Sequence, residues 1–226
     1  MNLRYDFAWN RTRAIRKEII QQRLLLNDNN SINNEQPLYK DGIGGVLIIE
    51  QCARFQILCA YRLSDQGPKV FDFKINEDNL KNCFQSLRQY YEETMSGHDS
   101  SQSRLVPSPN ETEFRSYIIL LNLNQSDILS EILHWSPYIR TSSHVKFALA
   151  VYNAYNSRNY VKFFRLFKST DCTYLQACIL HRYICVMRCI AFKIIFSSYK
   201  DQREKIFPVN KIADLLGNLF KFKIIL

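Results

Sequence analysis

Apolar residues recur along this chain at spacings of three, four and seven, and nearly every such segment predicts a helix. Ile15, Ile19 and Leu26 share one face of an amphipathic helix predicted over residues 11–26. The Asn-rich stretch NDNNSINNEQPLYKDGIGG follows, and its polarity reads as a loop or flexible insertion, with GIGG as a hinge. VLIIEQCARFQILCAYRL is apolar over most of its circumference, which marks a helix central to the packing. After a break at DQGP, residues 76–95 predict a helix with Leu80, Phe84 and Leu87 as its inner stripe. SGHDSSQSRLVPSPN reads as a second flexible linker and ends just before ETEFRSYIILLNL.

Shorter helices with brief connections follow. Ser126 can cap DILSEILHW, Ser142 or Ser143 can cap HVKFALAVYNAYN, and Asn159 can cap YVKFFRLFKS. Thr173 opens a long helix, YLQACILHRYICVMRCIAFKIIFSSY, expected to be mostly buried, and Pro208 starts a last one containing Ile212, Leu215 and Leu216. The expected fold is all-α. Helices that meet antiparallel neighbours through short turns make a right-handed α-solenoid of irregular repeats, with no strict repeat consensus. The division expected is an entry helix (1–27), an Asn-rich insertion (28–45), a helical-repeat domain (46–205) with a flexible linker at 97–110, and a final element (206–226).

Composition narrows the class. A hydrophobic content of 46% with 23% charged residues is that of a globular chain, and only 6 Gly and 6 Pro argue against a turn-rich all-β fold. No uninterrupted apolar run reaches the roughly 18 residues of a membrane-spanning helix, so none is expected. MNLRYDFAWNRTR lacks the apolar stretch of a signal peptide. The 7 cysteines form no disulfide framework and suit a reducing nucleus or cytosol.

Charge is more informative. Residues 1–139 carry 15 Lys and Arg against 17 Asp and Glu, whereas residues 140–226 carry 15 against 4. Such asymmetry has two readings: a footprint for nucleic acid or an acidic protein, or a set of solvated helix faces.

No catalytic constellation emerges. Cys178, His181, Cys185 and Cys189 are zinc-ligand types, but all lie on one predicted helix, which presents two ligands to a tetrahedral ion far more readily than four. Their spacing beside Leu175 and Phe192 makes the cysteines small core residues. GIGG lacks the Lys-Ser/Thr of a phosphate loop. From Lys146 to Lys168, aromatic residues are interleaved with Lys146, Arg158, Lys162, Arg165 and Lys168, a pattern that can suit single-stranded nucleic acid. At helical spacing the aromatics are more simply buried knobs, which leaves the cations exposed.

NRTRAIRKEI crowds Arg11, Arg13, Arg16 and Lys17 into two turns, with Asn10 as N-cap. Cations in a first turn oppose the helix dipole, so tertiary contacts are expected to hold this helix, with neighbouring carboxylates satisfying Arg11 and Arg16.

Six ordered segments carry a family resemblance: NRTRAIRKEI, IEQCARFQILCA, KINEDNLKNCFQSLRQYYEE, NETEFRSYIILLNL, VKFALAVYNAYNSRNYVKFFRLFKS and YLQACILHRY. Together they resemble the Sac-three/GANP homology region, from about Asn10 to about Leu216. The family pattern usually begins with Asp where this chain has Asn10, and residues 27–45 are longer than the pattern expects. The resemblance implies a PCI-type module, a helical solenoid leading into a winged helix. It implies a non-enzymatic scaffold, without cofactor, of the transcription and mRNA export complex at nuclear pores. The partners implied are a second PCI protein, a small acidic disordered subunit, nuclear pore components and RNA, without membrane insertion. The location implied is the nucleus and its envelope, with the cytoplasm as a further site.

FPVNKIADLL resembles the first winged-helix element, and the chain reaches Leu226 without a recognition helix or wing, so residues 206–226 are expected to form an incomplete winged helix. Site expectations follow. Lys193, Lys200, Arg203, Lys205 and Lys211 are the nucleic-acid set, and Phe207, Ile212, Leu215 and Leu216 the partner surface. Asn10, Arg11, Arg13 and Arg16 are the structural motif of the entry helix. Two alternatives stand beside this reading: a module that binds single-stranded nucleic acid directly, and a PCI-like scaffold of another assembly, such as the proteasome lid or a centrosome-associated complex.

Overall fold

The computed structural model describes residues 2–21, 43–68, 70–96, 108–199 and 209–216. Among these residues the regular elements are all helices, so the all-α expectation holds there. The chain divides into two compact units, residues 1–114 and 115–226.

The first unit contains α1 (Asn2–Gln21), α2 (Ile43–Arg62), α3 (Phe73–Ser96) and the start of α4 (Glu111–Leu121). Helix α2 turns Val46, Ile49, Ala53 and Ile57 inward at the three- and four-residue spacing that keeps one face together. Helix α3 answers with Leu80, Phe84, Leu87, Tyr90 and Tyr91, so the predicted stripe of Leu80, Phe84 and Leu87 is buried. Each such side chain contributes about 1.5–3 kcal/mol on leaving water, which makes this seam the main stabilising contact of the unit. Helix α2 is long and apolar enough to cross a membrane by length and composition alone, although Glu50 and Arg54 interrupt its apolar run. Half of that apolar window is buried, so its composition is that of a core helix.

Several local expectations are corrected. Helix α1 begins at Asn2, so Asn10 lies in mid-helix and is no N-cap. Gly44 and Gly45 lie in the first turn of α2 and Gly45 is buried, which replaces the predicted hinge with helix. Ser108, at the end of the second predicted linker, is buried against α2, while residues 97–107 lie outside the described residues.

The second unit holds the rest of α4, then α5 (Ile128–His134), α6 (Pro137–Thr141), α7 (Ser143–Asn156), α8 (Tyr160–Phe167), α9 (Tyr174–Tyr199) and α10 (Val209–Leu215). Three predicted caps form. Ser142 Oγ accepts from the Val145 N–H at 3.4 Å and Asn159 Oδ1 from the Lys162 N–H at 2.9 Å. Thr173 and Gln176 make a reciprocal capping box: Thr173 N–H donates to Gln176 Oε1 at 3.0 Å, and Gln176 N–H to Thr173 Oγ1 at 3.4 Å. Ser126 does not cap α5; its hydroxyl donates to Asp127 Oδ1 instead, and Asp127 precedes the helix without a side-chain cap. Ser136 caps α6 with Pro137 at its first position, splitting off a short helix that the sequence pattern did not resolve.

Phe147, Tyr152, Phe163, Phe164 and Phe167 are buried, so the aromatics of α7 and α8 pack the core as their helical spacing predicts. Tyr183 of α9 donates to the Leu121 carbonyl at 2.7 Å, and Gln176 Nε2 donates to Ser116 Oγ at 3.1 Å. These bonds tie α9 to the second half of α4.

Candidate partner and nucleic-acid interface

Three local clusters of buried or half-buried polar groups stand out among the described residues of the first unit. In the first, Arg16 of α1 is only 5% exposed and donates to the Asn79 carbonyl at 2.7 Å and to Asn79 Oδ1 at 2.6 Å. Its third contact is Cys83 Sγ at 3.8 Å. The carboxylate partner expected for Arg16 is thus replaced by an amide and a backbone carbonyl of α3. Arg11 and Arg13 are exposed, and Arg13 lies over the Trp9 ring at 5.5 Å. Of the predicted stripe, Ile19 is buried, Ile15 is exposed and Leu26 lies outside the described residues.

In the second cluster, the fully buried Glu50 carboxylate accepts from Tyr91 Oη at 2.9 Å, Ser108 Oγ at 2.6 Å and Asn110 Nδ2 at 2.7 Å. Hydrogen bonds to a carboxylate are short and strong, and these three join α2, α3 and the turn before α4. In the third, Arg54 pairs bidentately with Glu113 at 3.1 and 2.6 Å and lies over the Phe114 ring at 4.9 Å. Burial pushes the Cys59 thiol up to about 12 and that of Cys83 up to about 11. Both stay protonated at neutral pH and serve as packing groups.

In the second unit, α9 has two unlike faces. Gln176, Leu180, Tyr183, Met187 and Ala191 point inward. Opposite them, Cys185, Cys189, Phe192 and Phe196 follow one another at spacings of four, three and four, and all are exposed. This corrects the expectation that Cys185 and Cys189 are core residues; Cys178 alone of the three is buried. The physical reason is coverage: a helix apolar all round needs neighbours all round, and among the described residues the later half of α9 is covered on one side. Phe192 is 51% and Phe196 75% exposed, and Lys193 on the same helix is exposed as well. Among the described residues no group of three His, Cys, Asp or Glu could hold a metal ion.

The predicted site residues are only partly brought together. Lys193 on α9 and Lys211 on α10 are exposed. Ile212 and Leu215 are half-buried and Leu216 is buried, with the Leu216 carbonyl accepting from Arg188 Nε at 3.1 Å. Lys200, Arg203, Lys205 and Phe207 lie outside the described residues. Sequence reasoning missed the α9 stripe, although the i, i+4, i+7, i+11 spacing from Cys185 to Phe196 carries its signal. Arg158, already placed by the sequence among the exposed cations, ends α7 in a left-handed conformation, φ 54°, which sequence reasoning did not anticipate. A helix end followed at once by an N-cap Asn, with no Gly between them, was the available clue.

Comparison with known proteins decides the family. The family model described as SAC3/GANP family matches residues 1–219. The chain belongs to the SAC3/GANP family. Protein xmas of Drosophila melanogaster is 38% identical over 216 residues, covering 94% of this chain and 9% of the fly protein. SAC3 family protein B of Arabidopsis thaliana is 27% identical over 226 residues, covering 94% of this chain and 12% of the plant protein. SAC3 family protein 1 of Schizosaccharomyces pombe is 26% identical over 185 residues, covering 74% of this chain and 17% of the yeast protein. This SAC3/GANP chain therefore spans between 9% and 17% of the length of these relatives.

Proposed function

We propose that this SAC3/GANP chain is the helical scaffold module of a nuclear mRNA export complex. In this reading its helices form the PCI-type solenoid of the family, with α10 as the first element of a winged helix. The module binds a second PCI protein and a small acidic subunit, contributes with them to RNA binding at the nuclear pore, and carries no enzyme activity. What supports the partner surface is one observation: the exposed stripe Cys185, Cys189, Phe192 and Phe196 on α9, which costs solvation unless something covers it. Charge adds to it, because the basic excess of residues 140–226 suits an acidic partner and RNA alike.

Co-expression with the PCI partner followed by size-exclusion chromatography tests the reading. The wild-type chain is expected to elute as a complex, and F192E/F196E to elute without the partner. Undiminished complex formation by that variant would remove the α9 stripe from the interface. A small acidic partner is expected to protect residues 174–216 from limited proteolysis, and unchanged cleavage there would count against the scaffold assignment.

A second reading, direct binding of single-stranded nucleic acid, is favoured by the exposure of Lys193 and Lys211. Lys200, Arg203 and Lys205 complete that proposed set. It predicts a steep loss of affinity with salt through counterion release, and salt-independent or absent binding would sink it.

A further inference from the structure

Between Glu131 and Asp171 the chain has no carboxylate, yet it carries Arg140, Lys146, Arg158, Lys162, Arg165 and Lys168. Three of these, Arg158, Lys162 and Arg165, gather at the α7–α8 turn and on α8, and all three are exposed. Among the described residues none of the three is paired with an Asp or Glu. Lys162 and Arg165 are three residues apart and so share a face of α8, separated by a rise of about 4.5 Å. The inward face of the same short helix is Phe163, Phe164 and Phe167, all buried. The cations therefore project from a backbone anchored by aromatic packing.

The turn fixes Arg158 further. Its N–H donates to the Tyr155 carbonyl at 3.0 Å, and the Asn159 N–H reaches back to the Ala154 carbonyl at 2.9 Å. These two bonds make a Schellman motif with Arg158 at the left-handed position, where glycine carries no steric cost. An arginine here gives up stability, and among the described residues its guanidinium gains no acid in return. Next to it, Asn159 caps α8, so the position joins two helix ends with little freedom to move.

We infer that the α7–α8 turn is a contact surface for the phosphate backbone of single-stranded RNA, separate from the cations of α9 and α10. The inference rests on the proposal that the module contributes to RNA binding, and it deepens that proposal by naming a surface. Charge complementarity selects a polyanion. The burial of the three Phe rings removes them as stacking platforms, so these contacts carry charge and no base sequence.

The test is fluorescence anisotropy of labelled oligouridine with the full chain, at salt from about 50 to about 200 mM. R158Q/K162Q/R165Q is expected to weaken binding at least tenfold and to flatten the slope of log K against log salt by about 2, at about 0.7 for each single-strand phosphate that is no longer neutralised. R158G separates structure from contact, because it keeps the turn and relieves its strain. It is expected to raise Tm by about 1–3 °C while weakening RNA binding, a combination that a purely structural role does not produce.

An unchanged slope and affinity in the triple variant, with loss in K193Q/K211Q, overturns the inference and leaves the RNA reading standing. No RNA binding by the wild-type chain in complex with its PCI partner overturns both. Equal competition by polyglutamate at matched charge assigns the surface to an acidic polypeptide and overturns the inference. Co-sedimentation with anionic phospholipid vesicles that oligouridine fails to displace overturns it as well.

Discussion

Replacing Arg16 with Met removes a buried guanidinium from between α1 and α3, and the structure allows its cost to be worked through. Arg16 makes two short bonds to Asn79, at 2.7 and 2.6 Å, and among the described residues no carboxylate neutralises it. A hydrogen bond to a charged group contributes about 1.5–3 kcal/mol, and a buried acceptor left without a donor costs about 1–3 kcal/mol. Met recovers part of this, because its thioether fills much of the same volume and needs no hydration. R16M is therefore expected to lose about 2–3 kcal/mol.

N79L should cost about 2–4 kcal/mol, because it takes the side-chain acceptor from Arg16 Nη2 and leaves the buried guanidinium with the backbone carbonyl of residue 79 and the Cys83 sulfur. The double variant removes both partners together and should cost about 2 kcal/mol, well short of the sum. The coupling of about 2–5 kcal/mol that these figures imply is the quantity to measure, by urea titration followed by far-UV circular dichroism. Additivity within about 0.5 kcal/mol would contradict this account, because it would mean that Arg16 gains nothing specific from Asn79.

Three further outcomes are expected. E50A strips the acceptor from Tyr91, Ser108 and Asn110 and should destabilise by roughly 3 kcal/mol or more, read by thermal melting; a loss below about 1 kcal/mol would mean that water satisfies the three donors. T173A breaks the capping box of α9 and should cost about 1 kcal/mol, a drop of about 2–4 °C in Tm; an unchanged Tm would show that the first turn does not depend on it. Cys59 and Cys83 hold their protons to about 12 and about 11 in the folded chain, against 9.0 for an exposed thiol. Their contribution is complete below pH 9.0 and is lost as pH rises through those values, so urea midpoints should fall across that alkaline window and should fall less in C59A/C83A.

Periodicity alone located the helices whose inner faces are unambiguous. Leu80, Phe84 and Leu87 could be assigned inward from spacing, as could the aromatics of α8, because a single apolar stripe has only one way to leave water. Ser142, Asn159 and Thr173 were equally legible as caps, since a cap acts on the N–H groups two or three residues ahead and needs nothing from the rest of the fold. The start of α1 was not legible: a cluster of cations after Asn10 looks like a beginning, but the helix runs back to Asn2, where the residues that decide it are chain neighbours of low polarity contrast.

Chemistry at a distance was harder still. That Arg16 meets an amide and no acid depends on α3, which lies 63 residues away in sequence. Helix α9 makes the division clearest. Its sequence determined that a long helix forms and that it is apolar on nearly every side. Tertiary packing alone put Met187 inside and left Cys185, Phe192 and Phe196 out, because burial depends on which neighbours arrive and not on hydrophobicity itself. Composition likewise determined a basic stretch over residues 140–226. The fold decided which cations it leaves in solvent, by turning the Phe residues of α8 inward and locking Arg158 at the end of α7.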